Sequence, residues 1–591
     1  MELPASVKAP PRVRVDERVF KQRVRQRLGV DDVVRRVLLA LIAVWLVVLL
    51  IYPLIMVLVR SLMDKQGVFV GLANYTAYFA SPATSISLRH SLTVSVISMV
   101  ITVVFAFVYA YGLARTTIPY KNVLRAVAML PIFVPSLVQA LAFIYMFGNN
   151  GVFTRAFGWN IGLYGPVGIV MSEVFYAFPH ALIILMTALT MADARLHEAA
   201  ESLGASGLRI FTTVTLPTVK YGLMSAAFVA FTLAITDFGA PKVVGGNYDV
   251  LATDIYNKVV GQQNFGMGAT VSTLLLIPAV IAFVLDRIVQ RRQVAQVTSE
   301  ITPLGPRRHR SLVQGGIFVF CVAVAVFILA IYAIVIIGAF VKYWPYNLTP
   351  TLKNFMTFYV AGAHHRFGAL VILWNSIKMA TGTAVFGTII VFASAYLIEK
   401  SRGLNWGRSL LYLLSIMPLA VPGMVLGLAY VFTFNNPRHP LYFLYGTMTI
   451  LVLSTIIHYY TVPFLTAMTA LKQMDPAFEA IGESLDAPFY RTFWRVTVPM
   501  AMPAILSIAM YFFLNAMVTL SAVVFLFVPG NELASLAVML LDDAGETAQA
   551  MAMASLILVT GLTARGIFYL LTRGVTRRTQ AWTQSRQQVG A

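Results

Sequence analysis

Apolar stretches of nearly constant length run along this chain, parted by short polar segments. Six lie near 37–59, 93–114, 124–147, 167–190, 219–238 and 270–286, and six more near 314–340, 378–398, 410–433, 447–471, 501–525 and 550–572. Each approaches the ~20 residues that an α-helix needs to cross a bilayer. Hydrocarbon offers no partner to a bare backbone, so helices are the expected form of such runs. The pattern predicts an all-α membrane protein of about twelve transmembrane helices. Six spans return the chain to its starting side, so the halves are expected to be parallel repeats.

The polar segments carry the repeat in finer detail. Met186-Thr-Ala-Leu189, Asp193, Glu198-Ala-Ala-Glu-Ser-Leu-Gly204-Ala205 and Val214-Thr-Leu-Pro217 recur as Met468-Thr-Ala-Leu471, Asp475, Glu483-Ser-Leu-Asp486-Ala487 and Val496-Thr-Val-Pro499. Met186 and Met468, Asp193 and Asp475, Glu201 and Glu483, Pro217 and Pro499 all stand 282 positions apart. A register held over so long a stretch marks a duplicated unit. Ser91 opens the second run as Ser376 opens the eighth, and Pro131 and Pro135 in the third match Pro418 and Pro422 in the ninth. A proline inside a spanning helix forfeits a backbone hydrogen bond, and each of these reads equally as a packing kink or a hinge.

The repeated segment predicts a short helix lying across the membrane surface. Asp193 and Asp475 are placed to cap it, and Pro476 follows at the first helical position, where its missing N–H costs nothing. Glu198, Glu201, Glu479 and Glu483 fall in early turns, where negative charge suits the helix dipole. Gly204 permits a turn that a side chain hinders, and Pro217 and Pro499 are expected to start the next spans. One copy alone fits an ordinary interfacial helix. Two copies in register fit a device that passes force to the spans on either side.

Composition agrees with a membrane class. The 591 residues are 59% hydrophobic and 12% charged, with a mean hydropathy of +0.77. A soluble domain carries about 25% charged residues, so buried helices of a large soluble protein are disfavoured. The net charge of +20 would point to nucleic acid in a soluble chain. Here the bases flank apolar runs, as the positive-inside rule requires, and no nucleic-acid partner is expected. With the amino terminus inside, Arg115, Lys121, Arg125, Arg195, Arg209, Arg287, Arg307, Lys400, Arg408, Arg491 and Arg573 all fall inside. The segment 527–549, expected outside, holds Glu532, Asp542, Asp543 and Glu546 and no Lys or Arg. The first apolar run starts near Val37, behind a long basic arm, so no cleavable leader is expected. Cys321 stands alone and supports neither a disulfide framework nor a cysteine metal site. The expected organisation is a basic arm over 1–36, a first membrane domain over 37–286, a polar linker over 287–313, a second domain over 314–573 and a basic tail over 574–591.

Glu198-Ala-Ala, Gly204 and Val214-Thr-Leu-Pro217 resemble the EAA signature of permease subunits of bacterial ABC importers. The resemblance covers nearly the whole chain as two fused permease repeats, with EAA loops at 193–217 and 475–499. It implies a transport subunit, not an enzyme, in the bacterial inner membrane with both termini in the cytoplasm. It also implies a cytoplasmic ABC ATPase dimer and a periplasmic or extracellular solute-binding protein as partners. ATP and Mg would sit on the ATPase, and this chain would bind no cofactor; it carries no G-x-x-x-x-G-K-[ST] phosphate loop. ATPase coupling would fall to Glu198, Ala199, Ala200, Glu201, Gly204 and Pro217 in the first loop, and to Glu479, Glu483, Asp486 and Pro499 in the second. The second loop departs from the signature: Ala480 stands for the first Glu, with Glu479 one residue early, and Asp486 stands for Gly.

For cargo, 236–265 and 511–545 resemble fused permeases assigned to 2-aminoethylphosphonate uptake. Fused ferric-iron permeases share the architecture and are the nearest alternative. A twelve-helix secondary transporter is a different class, but it needs an intramembrane ion site, and intramembrane carboxylates are sparse here. A membrane enzyme lacks a convergent catalytic cluster. Asp237 at the end of the fifth run, and Asn515, Thr519 and Ser521 along the eleventh, are the candidate pathway residues. Glu173, His180 and His458 read as polar residues satisfied in packing, and no residue set has metal-ligand spacing.

Overall fold

The computed structural model describes residues 29–191, 193–296, 305, 311–360, 363–366, 368–401, 405–475, 477–485 and 487–579. Among these, nine helices are long and apolar enough to cross a membrane: Val30–Ser61, Thr84–Arg115, Pro166–Thr190, Gly207–Thr236, Phe265–Gln290, Leu312–Ala339, Gly368–Lys400, Phe489–Val518 and Thr547–Val575. Three more spans are bent pairs: Lys121–Phe133 with Ser136–Phe157 at 106°, Asn405–Ala420 with Gly423–Phe434 at 110°, and Met448–His458 with Thr461–Lys472 at 58°. Taken in chain order as spans 1 to 12, they form an all-α membrane bundle of two six-span repeats.

The sharpest bends fall at the repeated prolines, and polar side chains repair the backbone there. In span 3 the Gln139 amide donates to the carbonyls of Pro131 (2.8 Å) and Val134 (3.1 Å). In span 9 the Thr461 hydroxyl, reaching across from span 10, donates to Ser415 O at 3.2 Å and accepts from Leu419 N at 3.2 Å. These prolines are breaks, not mild kinks.

The first span of each half packs on the opposite half. Span 1 lies against spans 8 to 10, where Tyr430 Oη donates to Leu49 O at 2.8 Å and Trp45 meets Tyr460 at 5.8 Å. Span 7 lies against spans 2 and 3, where Phe327 meets Phe143 and Cys321 sits fully buried near Gly112, and Phe327 also meets Phe175 of span 4. Each half is thereby covered by the other's leading helix.

Several expected boundaries move; spans 2 and 8 begin at Thr84 and Gly368, not near residues 93 and 378. Span 1 begins at Val30, ahead of the apolar run, because Asp31 and Asp32 favour a first turn near the dipole. Span 5 begins at Gly207, not near residue 219: the helix passes through a π turn over Phe211–Thr215 before Pro217, so this proline does not start the span. Span 11 runs from Phe489 to Val518 through the matching π turn Phe493–Thr497, and it ends before Thr519, not at residue 525. A wider turn is a natural lead into a residue that lacks an N–H for the regular ladder. The linker narrows as well, since helix runs to Gln296 and resumes at Ser311. The arm up to residue 28, the tail from 580, and Pro476 and Asp486 lie outside the described residues.

Between spans 7 and 8 two antiparallel hairpins form, β1 (Val341–Tyr343) with β2 (Asn347–Pro350), and β3 (Thr357–Val360) with β4 (Ala363–Arg366). They mark the end of the bundle opposite the repeated loops. At that end a short helix follows span 5 in one half and span 11 in the other. Ser91 Oγ accepts Leu251 N at 2.7 Å, and Ser376 Oγ accepts Ala534 N at 2.7 Å. The paired serines noticed in the sequence are therefore start-of-helix acceptors for Leu251–Tyr256 and Ala534–Asp543.

Candidate functional site

Both repeated loops lie at one end of the bundle, since each follows an even number of spans. The first builds the helix Ala194–Ser202, with Asp193 Oδ1 accepting Arg195 N at 3.0 Å. The second builds Ala477–Ser484, with Asp475 Oδ1 accepting Ala477 N at 2.9 Å. Gly204 takes φ +73°, the left-handed turn that favours glycine. The closing hydrogen bond also repeats: Ala205 N to Ala200 O at 3.0 Å, and Ala487 N to Gly482 O at 3.0 Å.

The loops are tied down differently. His197 Nε2 meets Thr215 Oγ1 at 3.1 Å, which fastens the first loop helix to the π turn of span 5. In the second loop Lys400 Nζ pairs with Glu479 Oε1 at 2.9 Å, which fastens it to the end of span 8. Span 1 braces the second loop further: Phe489 N donates to Asp31 Oδ2 at 2.8 Å, and Arg35 lies 5.0 Å over the Phe489 ring. Around these anchors both loops present apolar side chains to solvent in the same register. Leu203 is 87% exposed and its counterpart Leu485 is 74% exposed. Leu196 with Phe478, and Leu208 with Tyr490, are exposed in the same paired way. Paired apolar patches on an otherwise polar surface mark a contact face.

Deeper in the bundle, polar side chains from both halves converge. Asp237 caps the end of span 5, where its Oδ1 accepts the Ser136 hydroxyl at 2.7 Å and its Oδ2 accepts Ala240 N at 2.9 Å. Beside it stands the carboxyl of Glu173, fully buried, with no N–H or hydroxyl donor for either oxygen. Tyr176 faces both carboxyls and also Tyr459 and Tyr511 of the other half. Tyr459 sits in the break of span 10, 6.3 Å from Tyr511 between ring centres, and Thr519 stands beside it. Of the sequence candidates, Asp237 and Thr519 join this cluster. Asn515 donates to Tyr511 O within its own helix at 2.8 Å, and Ser521 packs on Gly423. Thr519 and Ser521 lie past the end of span 11, so they are not on a helix face as expected. Glu173, read as a polar residue satisfied in packing, meets the carboxyl of Asp237 and no N–H or hydroxyl donor, and His458 Nδ1 has no partner. His180 does have one, Tyr176 O at 3.3 Å. An acid in an apolar span was the available signal for Glu173. The three tyrosines gave none, because their meeting depends on how the halves pack.

At the hairpin end one ion pair joins the halves: Lys242 Nζ to Asp543 Oδ1 at 3.3 Å, with Lys242 also 5.4 Å over the Tyr256 ring. The neighbouring Asp542 is pushed up to about 6 by burial and by the charge of Asp543. Among the described residues no group of three or more His, Cys, Asp or Glu side chains is placed to hold a metal ion.

The profile of the family described as binding-protein-dependent transport system inner membrane component matches residues 103–294 and again 390–577. The chain belongs to this family. It is a fused double-domain ABC importer permease, and the two matched stretches contain the two loops. It is 27% identical to the ferric transport system permease protein FbpB of Actinobacillus pleuropneumoniae, over 80% of this chain and 69% of that one. The putative ferric transport system permease protein FbpB 1 of Haemophilus influenzae is 28% identical, over 74% of this chain and 70% of its own length. Sulfate permease 2 of Chlamydomonas reinhardtii is 26% identical over 37% of this chain and 58% of that one. A solved bacterial alginate ABC transporter, in complex with an alginate-bound periplasmic protein, is 16% identical with a TM-score of 0.37, covering 46% of this permease and 97% of that chain.

Proposed function

We propose that this permease forms the passage of an ATP-driven importer, with separate ATPase subunits seated on its two loops and a solute-binding protein delivering cargo at the hairpin end. The observation that carries the reading is the matched exposure of Leu196, Leu203 and Leu208 with Phe478, Leu485 and Tyr490 on two loops in one register. A dimeric partner offers two like grooves, and a duplicated apolar face is what such a partner meets. Each loop helix is joined through a continuous span to the central cluster, so moving the loops apart or together tilts spans 5 and 11 around it. Alternating access follows, with the Lys242–Asp543 pair as a latch between halves. In this reading the loops face the cytoplasm, along with both termini.

The cargo is read as a small phosphonate, 2-aminoethylphosphonate, on the resemblance of 236–265 and 511–545. Ferric iron is the second reading, favoured by the names of the two FbpB relatives. A strain deleted for this chain separates them. Loss of growth on 2-aminoethylphosphonate as sole phosphorus source, with normal growth on phosphate, supports the first. Normal growth there, with failure under iron limitation, replaces it with the second.

A further inference from the structure

The central cluster holds a pair of acids that the passage reading does not explain. Glu173 and Asp237 lie side by side within the bundle, and among the described residues neither forms an ion pair with a Lys or Arg. Glu173 is 0% exposed; its carboxyl meets that of Asp237, and no N–H or hydroxyl donates to it. A buried carboxyl without donors is costly unless something supplies positive charge or a proton. Thr519, 2% exposed, stands beside Tyr459 in the other half.

The rest of the wall is aromatic. Tyr176, Tyr459 and Tyr511 are partly exposed, and the rings of Tyr459 and Tyr511 stand 6.3 Å apart. Tyrosine faces attract cations through the ring quadrupole, and carboxylates do so by charge. The acids are also confined to one half. At the 282 register Glu173 becomes Thr455, Asp237 becomes Thr519 and Tyr176 becomes His458. The duplicated architecture therefore carries its two acids on the first half, where the second half has hydroxyl and imidazole side chains.

We propose that Glu173 and Asp237, with Tyr176, Tyr459 and Tyr511, form a cation-accepting station in the passage, so that the cargo carries a positively charged group. The ring faces fit an organic ammonium, and the oxygen ligands also fit a hard metal ion. A purely anionic cargo such as sulfate meets the wrong sign of charge. The inference rests on the importer reading and narrows its substrate class.

The test is uptake in a deletion strain complemented with the wild-type chain or with Glu173→Gln, Glu173→Asp, Asp237→Asn or Tyr511→Leu, each checked for membrane insertion. Cargo is first assigned by offering radiolabelled 2-aminoethylphosphonate, ethylphosphonate, ferric iron and sulfate, and then any ligand captured by the secreted binding protein. The expected result is a cargo bearing a positive group, with uptake reduced at least ten-fold in Glu173→Gln and largely kept in Glu173→Asp. With an ammonium cargo Tyr511→Leu should also lower uptake, and uptake of such a cargo within two-fold of wild type in this variant overturns the part given to the rings. A cargo without positive charge overturns the station while leaving the importer reading intact. Uptake in Glu173→Gln and Asp237→Asn within two-fold of wild type overturns it as well. Absence of any uptake that depends on this chain and on the ATPase defeats the importer reading, and the station with it.

Discussion

Ser136 and Gly239 in the first half, and Gly423 and Ser521 in the second, show how two side chains share one tight contact. A Cβ on Gly239 would meet Ser136 Oγ at 2.6 Å, and a Cβ on Gly423 would meet Ser521 Oγ at 2.2 Å. The serine and the glycine have exchanged places between the repeats, so each contact holds one hydroxyl and one hydrogen. Gly423→Ser alone should overpack the site by ~1–3 kcal/mol, and adding Ser521→Gly should recover most of the loss. Thermal unfolding in detergent reads the cycle, and an additive pair of losses would contradict the contact. Asp542 belongs to the same scale. Its carboxyl moves from 3.8 up to about 6, so burial favours the neutral form. That stabilisation is complete below about pH 4 and is lost as pH rises through 6. The folded protein should therefore unfold at a higher temperature at pH 5 than at pH 8, and Asp542→Asn should flatten that part of the profile.

Among elements, the loops and the π turns that follow them act as units. Phe211–Thr215 and Phe493–Thr497 stand in the same register, and His197 is bonded to the first of them. Leu203→Asp or Leu485→Asp should abolish co-purification of the ATPase, because a buried unpaired charge at a contact face costs several kcal/mol. The variants should still insert, since neither side chain packs on the bundle. Retained ATPase in Leu203→Asp would remove the docking assignment. Gly204 adds a separate effect: an added Cβ finds open space, but φ +73° strains any side chain. Gly204→Ala should cost ~1 kcal/mol of local stability through the backbone alone. The loops should not respond equally. The second is braced by Asp31, Arg35 and Lys400, so Glu201→Lys is expected to lower transport more than Glu483→Lys. Equal losses in an uptake assay would count against that.

The whole molecule is held by exchange of leading spans. Span 1 donates its apolar face to the second half and receives the Tyr430 hydroxyl, while span 7 covers spans 2 and 3. A chain cut within 297–304 should give halves that accumulate poorly alone and co-purify when expressed together. The first half without span 7 uncovers Phe143 and Phe175, and the second without span 1 uncovers Tyr460. A stable, monodisperse first half expressed by itself would contradict the exchange.

Much of this architecture was legible in the chain because its signals are local. Span length is set by bilayer thickness, so the twelve apolar runs found the spans, though not the short helices Leu251–Tyr256 and Ala534–Asp543 between them. The duplicated loop, its capping Asp193 and Asp475 and the turn at Gly204 were readable because capping and left-handed turns depend on a few neighbouring residues. Even the paired Ser91 and Ser376 were visible as a repeat, though not as acceptors for Leu251 and Ala534. The extra turns ahead of Pro217 and Pro499 were not, because these amphiphilic segments resemble loop until the helix behind them extends. The meeting of Glu173, Asp237, Tyr176, Tyr459 and Tyr511 was illegible for a deeper reason. They come from separate spans in both halves, and packing between the halves, which no local pattern encodes, brings them to one place. Local physics determined the spans, their caps and their duplication; only the tertiary structure decided which faces cover each other and where the buried acids meet.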